Sequence, residues 1–498
     1  VCSSDLDIII HNYLLEQNIV IPAMKNQRMD GALIGGHVKE PKIGLSKWVV
    51  SFDLNSLYPH LIMQYNISPE TFVSKIDLPS IDELLRGNFE INDFEKELSH
   101  AANGCLYRKD KQGFLPALME KMYNDRTKYK KMMLEAKQRY EDNKNSEDEK
   151  LVARYHNMQM AKKIQLNSAY GALANQYFRW FSFDHAEAIT MSGQLSIRWI
   201  EKKMNWFMNK LLNNNNVADI DFVIASDTDS IYVEMDHLVA HLDTKDELKI
   251  VEALDKFCEQ KIQPYLDKSY EELAVKMNAY QQKMKMKRET IANKGIWKAK
   301  KMYILNAWNV EGVQYSEPKL KLQGIEAVRS STPKACRENI KKALGIIMNG
   351  SQDELQKFIE QFRDEFLTLP FEDVAFPRGV KGLWKYNKDK SQIYDKGTPI
   401  HVKGALIFNH IIRENKIKQI MPISDGDKIR FAYLKVPNPL RESVIAIPDE
   451  IPKELKYIDK YIDRETQFQK SFLEPLNSIA DVIAWSTEHK STLEDFFA

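Results

Sequence analysis

Three acids in this chain stand where an extended run gives way to a turn. Asp53 ends the apolar, β-branched run from Trp48 to Leu54 and is followed by Asn55-Ser56-Leu57-Tyr58-Pro59. Asp227 and Asp229 flank Thr228 between Phe222-Val223-Ile224-Ala225 and Ile231-Tyr232-Val233. A carboxylate at a strand end beside a tight turn can hold Mg²⁺ while backbone N–H groups bind phosphate oxygens. Strand alternation would turn Asp227 and Asp229 to one side. Three carboxylates brought together repel one another, and divalent ions remove that cost. Two ions about 3.5–4 Å apart suit transfer of a nucleotidyl group to a hydroxyl with pyrophosphate leaving. An isolated Asp-x-Asp says less, since glycosyltransferases use such pairs and loops contain them by chance.

The complementary cations lie on helix-like segments. Lys163, Asn167, Tyr170 and Gly171 fall at i, i+4, i+7 and i+8, one helical face. A lysine there brings a point charge to a triphosphate, and Arg126 on a preceding helix can grip it with two donors. Lys130 lies one turn beyond Arg126 on the same face. Any single one of these residues also fits an ordinary helix surface. Gly171 weakens its helix relative to alanine and marks a point where something approaches the backbone.

The elements that must carry these groups can be read from the pattern. Asp7–Pro22 is a short amphipathic element followed by an extended piece. Gly31–Gly44 is a glycine-rich loop centred on Gly35-Gly36. Leu115–Arg139 and Lys150–Ala174 have helical spacing around the polar turn Glu141–Glu149, which predicts a helical hairpin. Asp221–Met235 predicts a β-hairpin turning through Ser226–Asp229. Trp297–Val310 is strand-like, and beyond Ser330-Ser331-Thr332-Pro333 the pattern becomes helical over Lys334–Met348 and Asp353–Leu367, then mixed to the end.

Composition sets the outer bounds. The 498 residues correspond to roughly three domains. Hydrophobic content of 43% and charged content of 28% are those of an ordinary globular chain. No apolar run reaches the ~18 residues of a membrane span. Net charge is only +1, but Gln281–Lys342 holds 15 Lys/Arg against 5 Asp/Glu, and Lys121–Ile164 holds 12 against 7. Local basic tracks of this kind suit a protein that holds a polyanion. Cys2, Cys105, Cys258 and Cys336 are scattered, which argues against a zinc or iron–sulfur site and against a disulfide framework.

Taken in order, Asp53-Leu54-Asn55-Ser56-Leu57-Tyr58-Pro59, then Lys163 with Asn167-Ser168-Ala169-Tyr170-Gly171, then Asp227-Thr228-Asp229-Ser230 resemble the three polymerase motifs of family B DNA polymerases. Asn66-Ile67-Ser68-Pro69-Glu70-Thr71, Lys300-Lys301-Met302-Tyr303, Glu317-Pro318-Lys319-Leu320-Lys321 and Ser330-Ser331-Thr332-Pro333-Lys334 are similar to the branch from large tailed bacteriophages. The resemblance covers nearly everything after Leu6.

That resemblance implies an α+β right-hand fold with an antiparallel-sheet palm, helical-hairpin fingers and a mostly helical thumb. Its boundaries would be a remnant of an N-terminal domain over 1–24, palm over 25–112 and 176–324, fingers over 113–175 and thumb over 325–498. It implies template-directed DNA synthesis with two Mg²⁺ ions. Asp53, Asp227 and Asp229 would be catalytic, with Asp53, Leu54 and Asp229 at the metals. Ser56, Leu57, Tyr58, Arg126, Lys130, Lys163 and Asn167 would bind the incoming deoxynucleoside triphosphate, the Tyr58 ring excluding a 2′-hydroxyl. Tyr170 and Gly171 would border the nascent base pair, and Lys300, Lys301 and Tyr303 would contact primer–template DNA. The protein would work in the cytoplasm of an infected bacterial host, with no membrane partner.

The chain departs from the family pattern in several places. Ala225-Ser226 stands where Tyr-Gly is common, and Met302 where Arg is usual. The hairpin is short for the phage branch, and the family's exonuclease and amino-terminal domains are missing. The string Val1–Leu6 resembles translated sequencing-adapter sequence, which suggests an artefact fused to a truncated gene. The tail with Leu493, Phe496 and Phe497 resembles a sliding-clamp-binding peptide, a reading that competes with a frayed terminal helix.

Overall fold

The computed structural model describes residues 3–24, 31–87, 89–91, 95–212, 220–389 and 391–488. In chain order its helices and strands are α1 (Ser3–Glu16), β1 (Gly44–Leu54), α2 (Leu57–Tyr65), β2 (Phe72–Lys75), α3 (Ile81–Arg86), β3 (Leu98–His100), β4 (Cys105–Arg108), α4 (Phe114–Asn143), α5 (Ser146–Leu173), α6 (Phe183–Leu212), β5 (Val223–Asp227), β6 (Ser230–Glu234), α7 (Asp236–Val239), α8 (Glu247–Phe257), α9 (Gln263–Lys276), β7 (Met286–Ala299), β8 (Met302–Val310) and β9 (Val313–Gln323). There follow α10 (Lys334–Asn349), α11 (Gln352–Thr368), α12 (Phe371–Val374), β10 (Phe376–Gly379), α13 (Ile400–Glu414), β11 (Lys428–Tyr433), β12 (Val444–Ile447), α14 (Arg464–Phe468) and α15 (Glu474–Ala480). This is the α+β class. Among the described residues no helix is long and apolar enough to cross a membrane.

The chain divides into two units, the first comprising Val1–Lys42, Ser46–Gly295 and Leu305–Lys319, the second the remainder. In the first, the strands run in the order β5-β6-β1-β7-β8-β9. Strand β6 lies antiparallel between β5 and β1. Burial along β1 is nearly continuous from Trp48 to Phe52, so both faces of this strand are covered. Leu6 of α1 joins the same core, together with Phe52, Leu61, Leu166 and Ile197.

The Asn66–Thr71 motif has a structural task. It starts α4, whose first N–H groups have no partner within the helix. Asn66 Oδ1 accepts from Gly113 N–H at 2.8 Å, Glu70 Oε1 from Phe114 N–H at 2.6 Å, and Ser68 Oγ from Leu115 N–H at 3.4 Å. The Glu70 carboxylate also complements the positive end of the helix dipole. Caps of this type contribute about 1 kcal/mol each. A Cβ at position 113 would sit 2.5 Å from Ser68 Cβ, so only glycine lets the two backbones approach. Because Asn66 also ends α2 in left-handed conformation, the strand bearing Asp53, helix α2 and helix α4 form one rigid path.

Helices α4 and α5 form the expected hairpin, but the polar stretch around Glu141–Glu149 is helical. Only Lys144 and Asn145 turn the chain, Lys144 in left-handed conformation and the Asn145 side chain accepting from Glu147 N–H. Acids at the start of α5 favour helix there, and Asp148 pairs with Arg139 across the turn at 2.9 Å. Trp297–Val310 is likewise two strands, β7 and β8, parted by Lys300 and Lys301.

In the second unit, α10 and α11 begin and end close to the predicted positions. Their core includes Phe362, Phe366, Phe468 and Phe472 in mutual ring contact. Beyond α11 the mixed pattern includes strands, since β10, β11 and β12 form an antiparallel sheet of their own around Phe431 and Ile445.

Candidate active site

Strand pairing gathers the three acids. Ser230 is the register partner of Asp53 on one side and of Asp227 on the other. Leu54 N–H donates to the Asp229 carbonyl at 2.7 Å, which ties the residue after Asp53 to the turn. That turn is not a continuation of the strand. Thr228 is left-handed at φ 58°, and Asp229 N–H folds back on the Asp227 carbonyl at 2.6 Å. Strand alternation therefore does not align Asp227 with Asp229; a two-residue hairpin turn does. Gly36 of the glycine-rich loop crosses above it. A Cβ at Gly36 would meet Thr228 Cγ2 at 2.8 Å and the Tyr58 hydroxyl at 3.2 Å.

The Asp229 carboxyl is partly buried, and its pKa is raised. Burial is the main cause, followed by the like charges of Asp227 and Glu289; Lys163 opposes the shift. The negative charge is thus costly as the site stands, and a cation among these acids would relieve it. Among the described residues no group of three His, Cys, Asp or Glu side chains forms a ready-made metal cage. Mg²⁺ does not require one, since one or two carboxylates plus substrate phosphates suffice. The donor set fits Mg²⁺ on that basis.

A cavity of about 410 Å³ opens beside Asp53 and is lined also by Ser56, Arg126, Lys130, Glu289 and Glu311. Ser56 is left-handed at φ 46°, a strained conformation for a residue with a Cβ. Its Oγ accepts from Arg126 Nη1 at 2.5 Å. The Arg126 Nε is buried with no hydrogen-bond partner among the described residues. Such a donor is expensive to leave unmet. Burial lowers the Arg126 pKa, while Tyr123, Glu311 and Asp53 pull it back. Lys130 is held by Glu311 Oε1 at 2.6 Å.

The remaining predicted residues spread around this centre. Leu57 is buried at the start of α2, and Tyr58 packs its ring on Tyr170 with centroids 4.6 Å apart. The Tyr58 hydroxyl is pushed up to about 12 by burial, then by Tyr170 and Asp229. Lys163 and Asn167 are exposed on α5, and neither lines the cavity. Among the described residues nothing outside its own helix lies within 4 Å of a Cβ added at Gly171, so no neighbouring backbone there explains that glycine. In the second unit Lys300 and Lys301 are exposed, whereas Tyr303 is buried against Trp297 with centroids 5.9 Å apart. Its ring presents little surface to a ligand. Leu493, Phe496 and Phe497 lie outside the described residues.

Two acids join the site unannounced by the sequence pattern. Glu289 accepts from Ser51 Oγ at 3.1 Å and lines the cavity with Asp53. Glu311 sits in the tight turn between β8 and β9, left-handed at φ 52°. The available signal was their isolation, since both are among the five acids of the basic tract Gln281–Lys342.

Comparison with known proteins bears on what this arrangement does. The family model described as DNA polymerase family B matches residues 6–375. A DNA-directed DNA polymerase of Enterobacteria phage T4 is 31% identical over 99% of this chain and 60% of its own length. That of Escherichia phage RB69 is 32% identical over 99% of this chain and 59% of its own length. DNA polymerase 1 of Pyrococcus abyssi is 25% identical over 87% of this chain and 46% of its own length. The chain therefore spans about three-fifths of the phage relatives it matches.

Proposed function

Since the chain belongs to DNA polymerase family B, we propose that it carries out template-directed DNA synthesis, joining a deoxynucleotide to a primer 3′-hydroxyl. The observation that carries this reading is the meeting of Asp53 with the Asp227–Asp229 turn beside a cavity walled by Arg126 and Lys130. Acids alone would suit many metal enzymes. Acids beside a buried, partly unmet guanidinium suit a substrate that is itself a polyanion.

In this reading residues 25–112 and 176–324 form a palm, 113–175 fingers and 325–498 a thumb, in a right-hand arrangement. Asp53 and Asp229, with Leu54 beside them and Asp227 in support, hold two Mg²⁺ ions. When bound, Mg²⁺ neutralises charge on the attacking hydroxyl and the departing pyrophosphate. Arg126 and Lys130 take the triphosphate, Arg126 through the Nε that the protein leaves unmet. The turn at Ser56 and Leu57 presents backbone N–H groups to the same oxygens. Lys163 and Asn167 approach from α5. Tyr58, wedged by Tyr170 and Gly193, closes the space a ribose 2′-hydroxyl needs. Tyr170 and Gly171 border the new base pair. Lys300 and Lys301 contact the DNA backbone, and the reaction takes place in the cytoplasm of an infected bacterial cell. A clamp-binding role for Leu493, Phe496 and Phe497 belongs to the same proposal.

Primer extension with Mg²⁺ and each nucleotide class tests the reading. The wild-type chain should extend with deoxynucleotides and reject ribonucleotides. Tyr58→Ala should admit ribonucleotides about a hundredfold better, the scale on which a pocket separates substrates by one group. Unchanged discrimination would remove Tyr58 from that role.

A further inference from the structure

A second cavity, of about 460 Å³, opens in the first unit and shares no lining residue with the one beside Asp53. Three helices enclose it. Helix α6 supplies Trp199, Lys202, Lys203 and Trp206, spaced i, i+3, i+4 and i+7 on one face. Helix α9 supplies Tyr265, Lys268, Glu272 and Lys276 at i, i+3, i+7 and i+11. The end of α3 closes the rim with Arg86.

Two of the cations here are mounted on one aromatic ring. Lys203 and Lys276 stand over Trp199 at 4.8 and 5.7 Å from its centroid. The ring is fixed in turn by its Nε1, which donates to the Ser269 carbonyl at 2.8 Å. Lys276 also donates to the Leu84 carbonyl at 2.7 Å, and Lys202 to that of Leu85 at 3.1 Å. One acid, Glu272, answers this group, pairing with Lys203. The mutual repulsion is felt: the Lys276 pKa is lowered, first by burial, then by Lys202 and Lys203. Beside the cations, Trp206 is 55% exposed and lies nearly parallel to Tyr265, 14° between planes and 6.2 Å between centroids. An exposed indole on a cationic pocket is an unusual use of surface.

We infer that this cavity binds a nucleoside phosphate unit, with the phosphate among Lys202, Lys203 and Lys276 and the base against Trp206 and Tyr265. Cations gathered on rings and repelling one another are relieved by an anion. Flat, wet aromatic surface at their side is what a base stacks on, and a purely anionic ligand would leave it unused. Neither part of the argument depends on the reaction proposed for the first cavity. The unit comes either as a free nucleotide or as one residue of a single strand.

The test is photocrosslinking of the full chain, its first cavity saturated with a hairpin primer–template. One arm uses 5-iodo-deoxyuridine monophosphate, the other an oligodeoxythymidylate carrying one 5-iodouracil, with adducts mapped by mass spectrometry. Adducts at Trp206 or Tyr265 are expected. Labelling by the free nucleotide identifies that source, and labelling by the oligonucleotide alone identifies a strand. Lys202→Glu should cut the Tyr265 adduct about tenfold, as should Trp206→Ala, the loss expected for one stacked base. Both variants should extend a short primed hairpin at the wild-type rate, which keeps this test separate from that of the polymerase reading. Adducts confined to other segments, or undiminished yields in both variants, overturn the inference. So does protection by inorganic phosphate equal to that by thymidine monophosphate, because the rings would then contribute nothing.

Discussion

The two cavities of the first unit are similar in size and opposite in electrostatic design. The one beside Asp53 mixes signs among partly buried side chains: Asp53, Glu289 and Glu311 line it together with Arg126, Lys130 and Arg288. The one between α6 and α9 collects cations at the surface, two of them on the Trp199 ring, with Glu272 as the one acid among the described residues that line it. Mixed buried charge is expensive and is retained where reacting atoms must be held. Cations resting on exposed rings are cheap to keep and suit plain binding. The sharpest way to break this contrast is to remove an acid. Asp53→Ala or Asp229→Ala should lower primer extension on the order of a thousandfold or more, the scale of losing a central catalytic group. Primer–template binding and labelling of the second cavity should persist. Extension that survives Asp229→Ala would mean that the mixed site is not where the chemistry occurs.

Arg126 separates the cavities by what its removal does to nucleotide use. It bonds Ser56 with one arm and leaves Nε unmet. Arg126→Ala should cut kcat/KM for the nucleotide about 10- to 100-fold, the worth of one or two charge-assisted hydrogen bonds. Steady-state kinetics measures this directly. Trp206→Ala should leave the same parameter unchanged. A smaller loss for Arg126 than for Trp206 would reverse the assignment of the two cavities.

Why one cavity was legible in the sequence and the other was not follows from how each is built. Asp53, Asp227 and Asp229 sit in short motifs whose neighbours fix their backbone, so local sequence carries them. Even there the reason was partly wrong, since the left-handed Thr228 aligns the turn, not strand alternation. The helical hairpin is legible from periodicity, but its turn is narrower than the polar stretch Glu141–Glu149 because acids at the start of α5 stabilise helix. Glu289 and Glu311 were hidden because they act across the sheet, far in sequence from Ser51 and Lys130. Tyr303 reads as a DNA contact from its motif, whereas its packing on Trp297 shows only in the structure. The second cavity appears only when α6 and α9 meet. Along either helix alone, lysines and aromatics at helical spacing read as an ordinary amphipathic surface.

Acid should weaken the first cavity's support in a definite window. His60 sits under the Ser56 turn, its Nδ1 3.0 Å from the Ser56 carbonyl and its ring against Tyr123. Burial lowers its pKa to about 4, with Lys283, Arg126 and Lys285 adding to the shift against the Ser56 bond. The unfolded state, titrating near 6.5, therefore binds more protons between pH 6.5 and 4. Stability is fully present above that range and falls through it, by at most about 3 kcal/mol from this residue. Buried His185 is lowered to about 4 as well and adds to the same slope. Unfolding midpoints from pH 7.5 to 4.5 should show a shallower loss for His60→Asn, which can still donate to Ser56 but takes up no proton. Among the described residues no histidine lines the second cavity. An unchanged slope in His60→Asn would show that the turn is not held through this ring.

The smallest effect is the most discriminating, because its sign is at stake. Lys130 and Glu311 are 2.6 Å apart, and their side chains are 30% and 31% exposed, so the pair contributes at most about 1 kcal/mol. If Glu311 occupies Lys130 until a phosphate displaces it, Glu311→Gln removes a competitor. The nucleotide KM should then fall about two- to fivefold with kcat nearly unchanged. If Glu311 instead holds the lysine where the phosphate will arrive, the same change should raise KM. The strained turn at Glu311 favours the first outcome. Its backbone N–H is bonded to the Glu289 carbonyl at 2.6 Å, so the backbone that carries this carboxylate is fixed while the longer lysine stem can swing. A mixed-charge cavity would then be one whose internal ion pair is exchanged for a substrate contact, whereas between α6 and α9 Lys202 and Lys276 are held by backbone carbonyls and it is Lys203 that shares an acid, Glu272.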